Sequence, residues 1–289
     1  MTIQPVRAIL DHLRREPSRT WSIVITIYGD AIVPRGGAVW LGTLEAILAA
    51  MEIGGGVVRT AMSRLAADGW LERRRQGRNS FYHLSAKGQA TFAGAEARIY
   101  GGYPPHWGGR FRLVLLPDPA MRQAAREALL AAGFGAPLPG LFVAHDDTAL
   151  PAEAADALCL AAGGDGAAHR RLAALAWPLE PAGRRYQRLL DAFAPLRAWL
   201  RAGRAMPDRD ALVARILLVH EFRRAALRDP LLPVPLLPPD WAGLRARALC
   251  AELYPLLLPA SERWLDASGA PDGDRLPPPS IRLGARFQS

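Results

Sequence analysis

The spacing of apolar positions changes repeatedly along this chain, and the changes of period divide it into elements. Residues up to about Arg19 read as an arm that begins with a short helix. The run Trp21-Ser22-Ile23-Val24-Ile25-Thr26-Ile27-Tyr28 is dense in β-branched residues, so propensity alone admits a strand. Thr20 is a candidate N-cap before it, and its place ahead of the segments that follow favours a helix. Pro34-Arg35-Gly36-Gly37 is a turn and Val39-Trp40-Leu41 a short strand. Thr43 reads as the cap of a helix with Leu44, Ile47, Leu48 and Met51 on one face. Ile53-Gly54-Gly55-Gly56 interrupts that helix, and Val58, Ala61, Met62 and Leu65 then repeat at i, i+3, i+4 and i+7. Arg59, Thr60, Ser63 and Arg64 occupy the opposite face, and Asp68-Gly69 ends the helix. Two alternating runs, Trp70 to Arg74 and Ser80 to Leu84, flank Gln76-Gly77-Arg78-Asn79 and predict a β-hairpin with a basic tip. Ser85 opens a helix running toward Tyr100.

Gly101 to Gly109 (GGYPPHWGG) holds four glycines and two prolines and reads as a linker or hinge. Beyond it the pattern predicts a buried strand over Phe111 to Leu116, a helix over Met121 to Ala132 and a strand over Leu141 to Ala144. A helix over 152–162 and a weaker strand over Leu172 to Ala176 follow. That β-α-β-α-β order suggests a small ferredoxin-like α/β sandwich with one strand left unplaced. Three amphipathic helices over 184–202, 208–227 and 240–258 come next, interrupted by the proline-rich Asp229 to Pro239. The segment after Ser268 is rich in Pro, Gly and Asp and is expected to be disordered.

Composition adds few constraints. Half of the residues are apolar and 22% are charged, enough for real cores in two or three units. No apolar run approaches the roughly 20 residues that span a bilayer, and no signal-peptide pattern opens the chain, so a cytoplasmic protein with no membrane partner is expected. Cys159 and Cys250 sit in apolar helical patterns without CxxC or histidine spacing, which predicts buried, inert thiols and no metal site. The net charge of +9 is weak as a total, because Lys87 is the sole lysine and arginine, alanine, glycine and proline enrichment resembles codon bias. Its placement is stronger: from Arg59 to Lys87 there are seven basic residues against Asp68 and Glu72. Charge gathered in one segment is the footprint of a phosphate-binding face.

A helix, a break, a second helix with a polar outer face and then a basic hairpin is the order of a winged helix-turn-helix. The major groove admits one helix, and arginine pairing with guanine O6 and N7 is the commonest specific contact. Arg59, Thr60, Ser63 and Arg64 are therefore the candidate base readers; Arg73, Arg74, Arg75, Arg78 and Asn79 are placed at the wing, within reach of phosphates or the minor groove. Three glycines stand where a capping Ser, Thr or Asp would be expected on the second helix, which leaves its start loosely defined.

These residues resemble a known family. The stretch IVITIYGDAIVPRGGAVWLGTL, with VVRTAMSRLAADGWLERRRQGRNSFYHLSAKG after it, is similar to the N-terminal signature of the phenylacetic acid degradation repressor (PaaX-like) family. VHEFRRAALRDPLLPVPLLPPDWAGLRARALCAELY resembles that family's C-terminal signature, so two separated blocks in family order cover nearly the whole chain. The resemblance implies an α+β protein with a winged helix-turn-helix domain and its arm over 1–100, a ferredoxin-like middle domain over 107–176, a helical C-terminal domain over 177–268 and a tail over 269–289. It also implies a homodimer on double-stranded operator DNA, with no cofactor and an acyl-coenzyme A effector such as phenylacetyl-CoA. A pocket for such a thioester needs arginines beside an apolar cleft, which selects Trp177, Arg184, Arg185, Tyr186, Arg188, His220 and Arg223, with Arg224 close by. Arg184, Arg185 and Arg188 on solvated helix faces, His220-Glu221 as a surface or interdomain polar pair and the aromatics as plain core are the competing readings. A second function class is a metal-dependent nucleic-acid-processing enzyme that docks through the winged helix and uses Asp118, Asp146 and Asp147, but no converging carboxylate set can be assembled from the sequence.

Overall fold

The computed structural model describes residues 2–102, 107–116, 122–145, 147–270 and 275–288. The fold is α+β, with ten α-helices and two antiparallel sheets among the described residues. The chain divides into two compact units, one made of Met1–Gly102, Arg185–Leu227 and Gly243–Ser289, the other of Tyr103–Arg184 and Arg228–Ala242. The first therefore unites the N-terminal helices and hairpin with most of the C-terminal helices that the sequence reading set apart as a separate domain.

In the first unit, α1 (Gln4–Arg15) buries Val6, Ile9 and Leu10. The β-branched run is a helix, α2 (Thr20–Ile27), with Ile23 to Ile27 all buried. Helix propensities differ by only a few tenths of a kcal/mol per residue, whereas burying one Ile or Val is worth about 1.5–3 kcal/mol, so packing outweighs propensity here. The helix continues through a π turn (Tyr28–Ile32) and a 3-10 turn (Val33–Arg35). Then come β1 (Ala38–Trp40), α3 (Leu41–Ala50), α4 (Gly55–Ala67), the hairpin β2 (Leu71–Gln76) and β3 (Asn79–Leu84), and α5 (Ala86–Tyr100). The three strands pair antiparallel in the order β1-β3-β2. The organising element is α9 (Asp208–Ala226), buried around most of its circumference and packed on α1, α2, α3 and α5. A helix apolar on nearly every side belongs in the middle of a core. α8 (Glu180–Arg201) and α10 (Ala242–Asp266) complete the helical set.

The expected disordered tail needs correction. Residues 275–288 belong to the first unit, and Phe287 is 3% exposed with its ring 5.1 Å from Tyr100, 5.4 Å from Tyr254 and 5.5 Å from Phe222. Composition predicts disorder when apolar residues are too few, but here Leu283 and Phe287 are both buried, the Ser280 N–H donates to the Pro34 carbonyl and Arg286 is held by Asp30.

The second unit is a four-stranded antiparallel sheet in the order β5-β6-β4-β7, from β4 (Phe111–Leu115), β5 (Gly135–Leu138), β6 (Leu141–His145) and β7 (Leu158–Ala162). α6 (Arg122–Ala131) covers one face through Ala125 and Leu129 on Val114, Phe142 and Ala144. α7 (Gly166–Ala176) lies on the other, where Phe111 meets His169 and Trp177. Residues 111 and 114, like 142 and 143, point to opposite faces because strand side chains alternate.

Two expected elements exchange character. Over 152–162 only Ala152–Ala154 is helical, a 3-10 turn, and Leu158–Ala162 is a strand; over 172–176 the chain is helix α7. β7 forms because β4 offers a free edge, pairing Val114 with Cys159 and Phe111 with Ala162. Asp165 then caps α7, its carboxylate accepting from the Ala168 N–H at 2.7 Å. In consequence Cys159 is exposed rather than buried, while Cys250 is buried as expected and its thiol is pushed upward by desolvation. The linker reading of Gly101 to Gly109 falls partly on 103–106, outside the described residues.

Candidate nucleic-acid interface

The polar face of α4 is open to solvent. Gly54 is its N-cap, with extended backbone and no side-chain cap. Val58, Ala61, Met62 and Leu65 are buried, and α2 and α3 pack behind the helix. Arg59, Thr60, Ser63 and Arg64 are all exposed on the other side. Arg59 Nη1 donates to Glu45 Oε1 at 3.1 Å, Arg64 Nε lies 3.6 Å from Asp68 Oδ2, and the Thr60 hydroxyl donates to the Gly56 carbonyl at 3.1 Å. Sequence reasoning missed Val57, which is 54% exposed beside these groups, and Glu45, which orients Arg59 from α3. A valine outside the i, i+3, i+4, i+7 stripe was the available signal.

The hairpin carries its cations on both faces of β2. Register sets Arg73 against Tyr82 and Arg75 against Ser80, while Arg74 opposes Phe81 on the alternate face. Arg73 Nη2 donates to Ser80 Oγ at 2.8 Å; Arg74, Arg75 and Arg78 are exposed, and Asn79 is half-buried opposite Gln76. Gly77 opens the two-residue loop at φ +59°, a left-handed value that glycine adopts without the Cβ penalty and that suits the primed turns of tight hairpins. Ser85 ties the hairpin base to α5: its hydroxyl donates to the Gly69 carbonyl at 2.6 Å and accepts the Gly88 N–H at 3.1 Å. The structure thus brings α4 and the hairpin together in one compact unit.

The residues selected for a thioester do not form one cluster. Trp177 and Arg184 belong to the second unit; Arg185, Tyr186, Arg188, His220 and Arg223 belong to the first. Trp177 is core, its indole N–H donating to the Gly133 carbonyl at 3.1 Å. Arg184 is exposed and pairs with Glu180, Arg185 is half-buried, and Arg188 Nε lies 3.0 Å from Glu16. Tyr186 is buried against Phe222, with ring centroids 5.8 Å apart. His220 is fully buried rather than a surface residue, with Nδ1 2.9 Å from the Thr26 hydroxyl and Nε2 2.9 Å from Ser18 Oγ. Desolvation, with Arg223 and Arg224 adding repulsion, holds its pKa well below the ordinary imidazole value. Arg223 Nη2 donates to Ser22 Oγ at 3.0 Å, and Arg224 Nη1 to Glu221 at 3.0 Å. Asp118 and Asp146 lie outside the described residues, and Asp147 is exposed after β6.

The same unit holds a charged network that the pattern of apolar residues concealed. The π turn directs Asp30 inward, where Arg215 Nε approaches Oδ2 at 2.7 Å and the phenols of Tyr100 and Tyr254 donate to Oδ1 at 3.0 and 2.9 Å. Arg286 Nη1 donates to Asp30 Oδ1 at 3.1 Å and Nη2 to the Gly29 carbonyl at 3.0 Å. Arg215 also pairs with Glu262, which accepts from Arg35 Nη2 at 2.5 Å, while Asp266 accepts from the same nitrogen at 2.7 Å. Burial alone would lower the Arg215 pKa, but Asp30, Tyr254 and Glu262 hold it above its usual value. Removing one member of such a network leaves a buried charge uncompensated, a loss of about 3–5 kcal/mol in comparable cases.

An exposed polar helix face and a basic hairpin braced on one core are the parts of a regulator, and sequence comparison agrees. The chain belongs to the PaaX-like protein family, matching it over residues 19–88 and matching the PaaX-like C-terminal domain over 177–267. It is 35% identical over 286 residues to the transcriptional repressor PaaX of Escherichia coli (strain K12), covering 92% of this chain and 89% of that protein. That family is one of regulators, not enzymes, so the nucleic-acid-processing reading is set aside. A solved structure of an uncharacterized protein from Mycobacterium tuberculosis shares the fold, with a TM-score of 0.51 at 24% identity over 76% of this chain and 88% of that one. Among the described residues no helix is long and apolar enough to cross a membrane.

Proposed function

We propose that this protein is a transcriptional repressor of a phenylacetate-type catabolic operon, binding operator DNA in the cytoplasm as a homodimer and released by an acyl-CoA such as phenylacetyl-CoA. The observation that carries the reading is the α4 face: Val57, Arg59, Thr60, Ser63 and Arg64 are exposed together, backed by a buried stripe and flanked by an arginine-rich hairpin. In this reading α3 and α4 are the helix-turn-helix and β2–β3 its wing. Arginine reads guanine, the Val57 methyls suit a thymine methyl, and the wing arginines meet phosphates. The second unit is then ferredoxin-like in strand order, with the later helix following β7 instead of preceding it.

Support for the dimer comes from β7. It is an edge strand without a charged residue, and Leu158 and Leu160 are 54% and 49% exposed. Unprotected edges of this kind pair with another chain, and two-fold pairing suits a two-half-site operator.

Substitution with quantitative gel shift tests the DNA reading. Arg59→Ala or Arg64→Ala loses about 1–3 kcal/mol on the operator and relaxes base preference. Arg74→Ala or Arg78→Ala weakens binding to every sequence alike and lowers the salt slope by about one unit for each phosphate no longer neutralised. Indistinguishable behaviour of the two classes would refute the division between helix and wing.

A further inference from the structure

A cleft of about 740 Å³ opens within the first unit, walled by α2 and its π turn, the hairpin base, α5 and α9. Its origin is legible in α5. A core helix usually sets large side chains along its inner face; here the cleft-lining stretch of α5 offers Phe92, Ala93, Ala95 and Ile99, so Phe92 is the one bulky apolar group before the last turn. Its ring lies against Gly29, where any Cβ would overlap it. The other apolar walls are Ile25, Val33, Trp70, Leu84 and Val219. Well-packed interiors tolerate few voids larger than a water molecule, and small-molecule sites typically span about 300–1,000 Å³ with mostly apolar walls and a few placed polar groups.

The charges at the cleft favour an acyl ligand over a cationic one. Asp30 is neutralised within the network by Arg215 and Arg286, and Glu96, at the rim, is engaged by Arg286 at 3.3 Å. Arg223 lines the opposite wall from α9, with its guanidinium hydrogen-bonded to Ser22. Aromatic and aliphatic walls beside a guanidinium suit a flat apolar group ending in a carbonyl or carboxylate oxygen.

We infer that this cleft is the effector site and that it binds the aryl-acyl arm of the thioester. The inference rests on the repressor reading above and deepens it by locating the switch. α2 lines the cleft at Ile25 and Thr26, its π turn lines it at Gly29 and Asp30, and α2 also packs on α4; Trp70, His83 and Leu84 line it from the base of the hairpin. An occupant therefore bears on both DNA-contacting elements inside a single compact unit. Of the residues the sequence selected for a thioester, Arg223 alone lines this cleft.

Calorimetric titration of the full-length protein with S-phenylacetyl-N-acetylcysteamine, the acyl arm without the nucleotide, tests the inference. Ala95→Phe fills the cleft and is expected to weaken binding at least tenfold; Phe92→Ala removes one of its aromatic walls and weakens binding severalfold. Trp70→Phe is expected to remove the tryptophan fluorescence change that the probe causes. Circular dichroism confirms that each variant is folded, and Phe92→Ala carries the test if Ala95→Phe is not. Wild-type affinity in the folded variants, or no binding by the wild type, overturns the cleft as the effector site. Gel shift of wild-type protein with phenylacetyl-CoA reads the underlying function separately. Release that persists in Ala95→Phe and Phe92→Ala refutes the cleft alone, whereas probe binding without release by any acyl-CoA refutes the proposed induction.

Discussion

Phe287→Ala tests whether the C-terminal segment is part of the folded core. The side chain is 3% exposed and meets Tyr100, Tyr254 and Phe222 at ring separations of 5.1–5.5 Å. Truncating a buried phenylalanine to alanine costs about 3–5 kcal/mol. The backbone at this residue is left-handed, φ +64°, which costs a non-glycine residue about 1–2 kcal/mol and which alanine would retain. Alanine therefore brings no relief from strain, whereas Phe287→Gly recovers about 1 kcal/mol of it. The measured loss is bounded by the free energy of docking the tail, because a terminal segment can detach without global unfolding. A loss of about 3 kcal/mol is expected, or roughly 6–12 °C in Tm at about 2–4 °C per kcal/mol for a domain of 150–250 residues. Urea unfolding followed by far-UV circular dichroism gives the value, and a chain ending at Gly284 gives the contribution of the last residues, Arg286 and Phe287 included, for comparison. A shift in Tm below about 2 °C for both variants would mean that the tail contributes nothing and that the aromatic cluster is not cooperative with the core.

Three further outcomes follow from the same structure. His220 is held neutral, so the unfolded chain binds a proton below about pH 6.5 that the folded one refuses; stability is full above that pH and falls on acidification by up to about 1.4 kcal/mol per pH unit, and His220→Gln should flatten that slope in pH-dependent urea melts. Leu160→Lys places a charge on the β7 edge and should convert the proposed dimer to monomer in sedimentation velocity, while a dimer that persists would place the interface elsewhere. Gly56→Ala meets open space and replaces a glycine in the first turn of α4, so thermal stability should rise by less than about 1 kcal/mol; operator affinity should fall if the DNA backbone approaches there, and equal affinity would exclude that close approach.

The sequence by itself determined what is local and periodic in this protein. The buried stripe Val58, Ala61, Met62 and Leu65 and the polar face opposite it follow from a 3.6-residue repeat, and the hairpin from alternation around Gln76-Gly77-Arg78-Asn79; both stand in the structure as read. The family was legible too, since its signatures lie in continuous blocks. Over 152–176 local signals misled: alanine-rich Leu158–Ala162 favours helix until the free edge of β4 offers it a ladder of backbone hydrogen bonds, and the cap at Asp165 moves the helix downstream. Only tertiary structure decided which distant segments share a core. Asp30, Arg35, Arg215, Glu262 and Arg286 look like ordinary surface charges along the sequence, because no periodicity marks a charge whose partner lies a hundred or more residues away. The same holds for Phe287 and for α9, which makes the N-terminal helices and the C-terminal chain one unit: burial is a property of the assembled surfaces, and no single segment encodes its partner.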